Sequence, residues 1–296
     1  MSEKALKQSC RLRLLMIGDV VGRPGRQITA RAVPLLRIAE NVGFVVANAE
    51  NSAGGSGLTY ACYRQFLNAG VDCLTMGDHV FRQGEIFRFI DQTDRVVRPA
   101  NYPRIAPGKP FTVLRTADQI SVAVLCLLGR TFMPPVDCPF EAAERILEAL
   151  PPDVRCIVVD IHAEATSDKQ LIARYLDGRV SAVLGTHTHV PTADEQILPK
   201  GTAFQCDVGM TGPHDSILGR RIDRVMETVR TFRPRSFDVA TGDVRLNGAL
   251  VEIDASTGKA VTIRRLCLTS QEVEELAVRL GVETPASSDP ADSAED

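Results

Sequence analysis

The sequence of 296 residues lacks any apolar run long enough to cross a bilayer, and its net charge is only −3. The first absence excludes a transmembrane helix, which needs about 20 predominantly apolar residues. The small negative net charge provides no sequence-independent attraction to nucleic acid or to an anionic membrane. The basic N-terminus contains only the short apolar run LLMI before Gly18, which is typical of a strand rather than a signal peptide. We therefore expect a soluble, cytoplasmic protein with no membrane partner and no stable nucleic-acid partner.

Paired cysteines are also missing, because the eight cysteines are scattered and none belongs to a CxxC pair. Their spacing disfavours a zinc site built from thiolates. Cys126 and Cys156 lie inside apolar runs, where a free cysteine behaves as a small hydrophobic residue. We expect these thiols to be reduced, as is usual in the cytoplasm.

Apolar β-branched segments alternate along the chain with segments of helical periodicity, and this order predicts an α/β fold with parallel or mixed sheets. Strands are predicted at 12–17, 44–47, 73–76, 120–128, 156–159, 182–184 and 203–206, and helices at 27–41, 59–69, 140–150, 169–176 and 272–280. Residues 245–254 and 260–267 predict a β-hairpin. We interpret residues 1–283 as a single domain, although the length allows two. The acidic segment 284–296 is predicted to be disordered.

Residues of the types that bind metals follow five of the predicted strands. In open α/β sheets, ligands bind beyond the carboxyl ends of the strands, so these side chains are expected to converge. Four of the five histidines lie at such positions, which favours metal binding or catalysis over a set of unrelated surface histidines. The strand-end residues are Asp19, Asn48, Glu50, Asn51, Asp78, His79, Asp160, His162, His187 and His189.

The types of these residues indicate a centre with two metals. Carboxylate and imidazole ligands without thiolates suit manganese, iron or zinc. The single-residue spacing of His187 and His189 directs two imidazoles into one site, and the carboxylates offset the charge of two cations. A carboxylate can bridge metals about 3.5–4 Å apart. A water that they activate near neutral pH can attack phosphorus, so no serine or cysteine nucleophile is required.

Six motifs carry a family resemblance. They are IGDVVGRPGR (17–26), NAENSAGGSGLT (48–59), TMGDHVF (75–81), DIHAEATSDK (160–169), GTHTHVPTAD (185–194) and DVGMTGPHDSILG (207–219). These segments resemble those of the calcineurin-like metallophosphoesterases and, within that superfamily, of the YmdB-like cyclic-nucleotide phosphodiesterases. HAEATSDK and THTHVPTAD together are specific, whereas GDxxG occurs in many loops. The resemblance covers roughly residues 13 to 268 and implies a four-layer αββα sandwich, with two facing sheets and helices outside.

The same resemblance implies roles for individual residues. His79 is implied to contact the substrate phosphate and to protonate the leaving oxygen. The implied cofactors are two divalent or mixed-valence transition metal ions, iron or manganese in preference to zinc. The implied ligands, with Glu50 bridging, are Asp19, Glu50, Asn51 and His189 for one metal and Glu50, Asp78, His162 and His187 for the other.

Two positions depart from the family pattern. Asp78 stands where the family's GNH motif has asparagine, which adds a negative charge and removes an NH2 donor. His214 stands where a tyrosine is expected, and it could face the substrate or cap its loop.

Three neighbouring features also have structural interpretations. Asp160 and Glu164 flank His162 and could orient its ring as hydrogen-bond acceptors. Asp207 could orient a ligand or stabilise the GMTG turn that follows it, and the turn is the favoured interpretation. The glycine-rich segment 54–57 could form a phosphate-binding nest, but a turn before a helix capped by Thr59 is the favoured interpretation.

The resemblance implies a two-metal hydrolase that cleaves a small phosphodiester, such as a 2′,3′-cyclic nucleotide, with a metal-activated hydroxide as nucleophile. Two alternatives remain open: a phosphomonoesterase such as a nucleotidase, and a low-activity regulatory protein on the same fold. The retention of a competent ligand at every implied position argues against the regulatory protein. A homo-oligomer is compatible with the sequence.

Overall fold

The computed structural model describes residues 11–282, and its elements follow the predicted alternation of strands and helices. The strands are β1 Arg11–Ile17, β2 Phe44–Asn48, β3 Cys73–Thr75, β4 Val96–Val97, β5 Phe111–Arg115, β6 Ser121–Leu128, β7 Cys156–His162, β8 Ala182–Thr186, β9 Gln196–Ile197, β10 Ala203–Gln205, β11 Gly212–Pro213, β12 Val244–Asp254 and β13 Lys259–Thr269. The α-helices are α1 Gly22–Ala39, α2 Tyr60–Asn68, α3 Pro139–Ala149, α4 Thr166–Leu176, α5 Ile222–Thr231 and α6 Ser270–Arg279. The predicted tail at 284–296 lies outside the described residues.

The strands form two mixed sheets. The first has the order β11-β12-β1-β2-β3-β4, with β13 paired to β12, and the second has the order β5-β6-β7-β8-β10-β9. Strands β1 to β4 pair in parallel, as do β6, β7, β8 and β10, while β12 runs antiparallel to β1. The predicted α/β class with mixed sheets is therefore confirmed.

Three clusters of buried side chains hold these elements together. Met16 of β1 packs in one cluster with Val124 and Val158 of the second sheet. Neighbouring side chains of the first sheet face the opposite way, as strand geometry requires, and pack with α1, α2 and α6. The third cluster joins the second sheet to α3 and α4. Each sheet is therefore buried on both faces, which explains why its central strands are apolar without interruption.

The boundaries of three elements differ from the prediction by three or more residues, and one of these, helix α4, begins at Thr166 rather than at residue 169. Helix α1 begins at Gly22 rather than at residue 27, because Pro24 lies in its first turn, where proline costs no intrahelical hydrogen bond. Strand β7 continues to His162 rather than ending at 159, since Asp160 and His162 are polar residues that are buried within the strand. The exposed helix α5 and the short strands β4, β5, β9 and β11 were not predicted. No helix within residues 11–282 is long and apolar enough to cross a bilayer.

Candidate metal centre

Four of the predicted ligands meet at the carboxyl ends of the parallel strands. Glu50, Asp78, His162 and His187 each offer one ligand atom, and these atoms lie within 4.8 Å of one another. His162 Nε2 is 3.2 Å from Glu50 Oε1 and 3.3 Å from Asp78 Oδ1. His187 Nδ1 is 3.0 Å from the same His162 nitrogen. Two carboxylates and two imidazoles therefore direct their lone pairs into one small volume.

A second group of predicted ligands lies beside the first and shares Glu50 with it. His189 Nε2 is 3.9 Å from Asp19 Oδ1 and 3.3 Å from Asn51 Nδ2. Asn51 Nδ2 in turn lies 3.2 Å from Glu50 Oε1. Glu50 Oε1 therefore lies 3.2 Å from both His162 Nε2 and Asn51 Nδ2 and connects the two groups.

The buried carboxylate of Asp19 tests whether this group suits a cation. Its Oδ2 accepts a hydrogen bond from the His187 amide, at 3.1 Å. Its Oδ1 is buried and has no hydrogen-bond partner among the described residues. An unpartnered buried carboxylate oxygen is costly unless a cation compensates it. The donor set of carboxylates, imidazoles and one amide therefore fits a transition metal.

Gly77 permits the close packing of the cluster. A Cβ atom added at this position would lie 2.1 Å from Glu50 Oε2 and 2.3 Å from His162 Nε2. The backbone after β3 therefore passes directly against the ligand atoms, and a side chain there would fill the space that a metal needs.

Hydrogen bonds determine which nitrogen of His162 faces the cluster. The hydroxyl of Thr186 donates to Asp160 Oδ1 at 2.6 Å. Because this uses its only proton, Thr186 Oγ1 accepts from Nδ1 of His162, 2.8 Å away. The Nε2 lone pair of His162 is then left for a metal. Asp160, which also accepts from Thr75 and Asn48, thus orients His162 through Thr186.

The other two imidazoles are oriented in the same manner. His187 Nε2 lies 3.2 Å from Glu164 Oε2, so Nδ1 is left to face the cluster. His189 donates from Nδ1 to the carbonyl oxygen of Leu218, 3.1 Å away, so its Nε2 faces Asp19. The expectation that Glu164 orients His162 was wrong, because the carboxylate contacts the ring of His187 instead.

Burial and neighbouring charges shift the pKa values of His187, His162 and Asp19 in different directions. Burial and the neighbouring His162 lower the pKa of His187 to about 4, which keeps its ring in the neutral form that binds metals. Burial alone would lower the pKa of His162, but Glu50 and Asp78 raise it well above its usual value. Burial also raises the pKa of Asp19. Without a metal, protons must therefore offset the concentrated negative charge.

His79 lies beside the cluster without belonging to it. Its backbone amide donates to Glu50 Oε2 at 3.2 Å, and its Nδ1 is 3.0 Å from Asn51 Oδ1. Its Nε2 is 3.7 Å from Asp78 Oδ2, and 28% of its side chain is exposed. The ring thus lies between the ligand carboxylates and solvent, where a substrate can reach it.

Two further positions have structural roles in their loops. Both ring nitrogens of His214 are engaged within the protein, with the Gly212 carbonyl and with the Asn247 amide, at 3.0 Å each. These contacts favour the loop-capping alternative for His214. Thr59 caps α2 by accepting from the Cys62 amide at 3.3 Å, which confirms that interpretation of the glycine-rich segment.

Sequence reasoning missed two polar residues that support the site. Thr186 orients His162, and Lys169 is fully buried against Asp207. The signal for Thr186 was its place at the end of an apolar strand, directly before His187. The signal for Lys169 was its place in the specific motif HAEATSDK, of which only His162 and Glu164 had been given roles.

Comparisons with known proteins show the family to which the chain belongs. A family model described as YmdB-like protein matches residues 15–266. A 2′,3′-cyclic-nucleotide 2′-phosphodiesterase of Bacillus subtilis is 45% identical over 262 residues, which are 88% of this chain and 99% of the relative. A hypothetical protein of Thermus thermophilus superposes with a TM-score of 0.82 at 41% identity, covering 87% of this chain and 99% of its own. A phosphatase of Mycoplasma pneumoniae superposes with a TM-score of 0.82 at 29% identity, covering 91% of this chain and 99% of its own. The chain therefore belongs to the YmdB-like family.

Proposed function

We propose that this protein is a two-metal phosphodiesterase whose substrate is a small cyclic nucleotide with a 2′,3′-cyclic phosphate. The observation that carries the proposal is the convergence of Glu50, Asp78, His162 and His187 within 4.8 Å. The substrate class is supported by the name of the Bacillus subtilis relative, which is 45% identical over almost its whole length.

The proposed ligands form two sets that share Glu50. One metal would be held by Asp19, Glu50, Asn51 and His189, and the other by Glu50, Asp78, His162 and His187. When bound, the two ions supply Lewis acidity, which activates a water near neutral pH and offsets the charge of the phosphate. Iron or manganese is preferred to zinc, because oxygen ligands outnumber imidazoles and thiolates are absent from the set.

Asn51 links the proposed metal site to His79. Asn51 Oδ1 lies 3.0 Å from His79 Nδ1 and has two lone pairs, so it can accept from this ring nitrogen and offer its second lone pair to a metal. In the protonated form of the ring, Nδ1 donates to Asn51 and Nε2 carries the second proton. When water attacks phosphorus and the bond to a ribose oxygen breaks, His79 can donate the Nε2 proton to the leaving oxygen and become a neutral imidazole.

The three buried clusters support a four-layer αββα sandwich formed as one domain. One cluster joins the two sheets, and the other two join each sheet to its own helices. We also propose a cytoplasmic location, because every cysteine within residues 11–282 is free, which suits a reducing compartment.

Metal content and substrate range test the proposal together. We expect two metal ions per chain in protein purified without chelator or reconstituted with manganese or iron. Such protein should open 2′,3′-cyclic nucleotides faster than it hydrolyses mononucleotides. Elemental analysis gives the stoichiometry, and a panel of cyclic nucleotides, linear dinucleotides and mononucleotides gives the preference. One ion or none after reconstitution would contradict the two-metal proposal, and a preference for mononucleotides would indicate a phosphomonoesterase.

Asp78→Asn is expected to keep both metals, to lower the Michaelis constant for phosphodiesters and to raise catalytic efficiency. The carboxylate adds a negative charge beside a metal that must attract an anionic phosphate. At about 4 Å and an effective dielectric constant of about 20, one such charge–charge interaction is worth about 4 kcal/mol. Steady-state kinetics of the two proteins at matched metal occupancy check this. An unchanged or higher Michaelis constant in the variant would show that the site has adapted around the aspartate.

A further inference from the structure

We infer that Asp207, neutralised by the buried Lys169, is the positioning residue that holds His187 and His189 in their ligand geometry. The inference rests on the proposed metal function, but it concerns residues that lie outside both proposed ligand sets. It assigns a role to two motif residues that metal binding and proton transfer leave unexplained.

The turn that carries the two histidines has an unfavourable backbone conformation. His187 has a φ of 98° and His189 a φ of 64°, and both values lie in the left-handed region that favours glycine. Two such residues on either side of Thr188 persist only when their surroundings hold them in place. The conformation matters because it directs both imidazoles toward the carboxylates.

Thr188 is the point at which the turn is held. Asp207 Oδ2 accepts from the Thr188 amide at 3.0 Å and from its hydroxyl at 2.7 Å. The other carboxylate oxygen, Oδ1, accepts from the Gly209 amide at 2.8 Å. One carboxylate therefore fixes both the backbone and the side chain of the residue between the two histidines.

Lys169 makes this carboxylate tolerable in the interior. Its Nζ donates to Asp207 Oδ2 at 2.7 Å, and the side chains of Lys169 and Asp207 are 0% and 1% exposed. An unpaired Asp207 would add a further buried negative charge to a centre that already contains Asp19 and Glu50. The ammonium group cancels this charge, so the carboxylate can act as a hydrogen-bond acceptor without competing for the metals.

The contacts join three separate segments at the strand ends. Lys169 lies in α4, seven residues after His162, Thr188 follows β8, and Asp207 follows β10. A Cβ added at Gly185 would lie 1.7 Å from the Cys206 carbonyl oxygen, so the backbones of β8 and β10 are in direct contact here. This packing leaves the turn little freedom once Asp207 has bound Thr188.

The experiment compares metal affinity with the stability of the metal-free protein. Metal-free wild type, Asp207→Asn, Thr188→Val and Thr188→Ser are titrated with Co²⁺ and with Mn²⁺, and Tm is measured without metal. Asp177→Asn is the matched control, because Asp177 is also a buried carboxylate that accepts hydrogen bonds from backbone amides, those of Lys200 and Thr202. These residues precede strands β8 and β10, so they lie at the amino ends of the strands, away from the proposed metal ligands.

A positioning role predicts weaker metal binding beyond any loss of stability. We expect Asp207→Asn to weaken it about 10- to 100-fold and to change the Co²⁺ absorption spectrum, as is typical when a residue that orients ligands is lost. Thr188→Val should weaken binding by about 10-fold, within the same range, and Thr188→Ser, which keeps the hydroxyl, should restore it. Asp177→Asn should lower Tm but leave metal affinity unchanged.

Two results would overturn the inference. Wild-type metal affinity in Asp207→Asn, or equal affinities of Thr188→Val and Thr188→Ser, would show that the contacts serve the fold alone. If Asp207→Asn does not fold, the Thr188 pair decides. Wild-type protein that binds neither ion would instead overturn the proposed function, and with it this inference, so the two failures are distinguishable.

Discussion

Gly77→Ala is expected to lower turnover at least about 100-fold and to reduce metal content, while the protein still folds. The added methyl carbon would lie 2.1 Å from Glu50 Oε2 and 2.3 Å from His162 Nε2. Neither contact can persist, so the carboxylate and the imidazole must move away from their ligand positions. Displacements of about 1 Å at a reacting centre typically cost about 100-fold in rate.

The matched control for this substitution is Gly84→Ala. Its added Cβ meets no atom within 4 Å, and neither Gly77 nor Gly84 has a φ in the left-handed region, so backbone strain is the same for both. We expect Gly84→Ala to keep wild-type turnover and metal content. The measurements are turnover, elemental analysis and Tm of the three proteins. Full metal content with unchanged turnover in Gly77→Ala would mean that the loop after β3 can shift without disturbing the cluster.

His79→Ala is expected to slow the opening of a 2′,3′-cyclic nucleotide by about 10²- to 10⁴-fold, the usual contribution of general acid catalysis. Both metals should remain, because His79 contacts the ligands Asn51 and Glu50 but lies outside the cluster of ligand atoms. The slowing should be much smaller for a 4-nitrophenyl phosphodiester, whose leaving group needs no proton. The measurement is turnover on both substrates at saturating metal, together with elemental analysis.

His214→Ala provides the comparison for His79→Ala. His214 is also partly buried, but its ring nitrogens contact Gly212 and Asn247 rather than the proposed ligands. We expect His214→Ala to lower Tm without altering the ratio of turnover on the cyclic nucleotide to turnover on the 4-nitrophenyl phosphodiester. Loss of one metal in His79→Ala would make His79 a ligand, and equal slowing of both substrates would exclude the acid role.

Much of the site could be predicted because the relevant information is local. A parallel strand followed by Asp19 or Glu50 brings that side chain to the carboxyl edge of its sheet, whichever partners the strand acquires. The types of these residues then indicate a transition-metal site without knowledge of distances. Element boundaries were less reliable, because a buried polar strand end such as Asp160 to His162 does not show the apolar pattern from which strands are predicted.

The tertiary structure decided which residues hold the ligands in place. The sequence determined the α/β class, the strand-end ligand types and the family resemblance, because each depends on periodicity or on short motifs. It did not determine that Glu164 contacts His187, that Asp207 holds Thr188, or that Gly77 lies against Glu50. These contacts join segments that are 19 or more residues apart, and their lengths depend on how the strands pair and how closely the loops pack. Periodicity along one segment carries no information about such distances, so only the folded chain defines them.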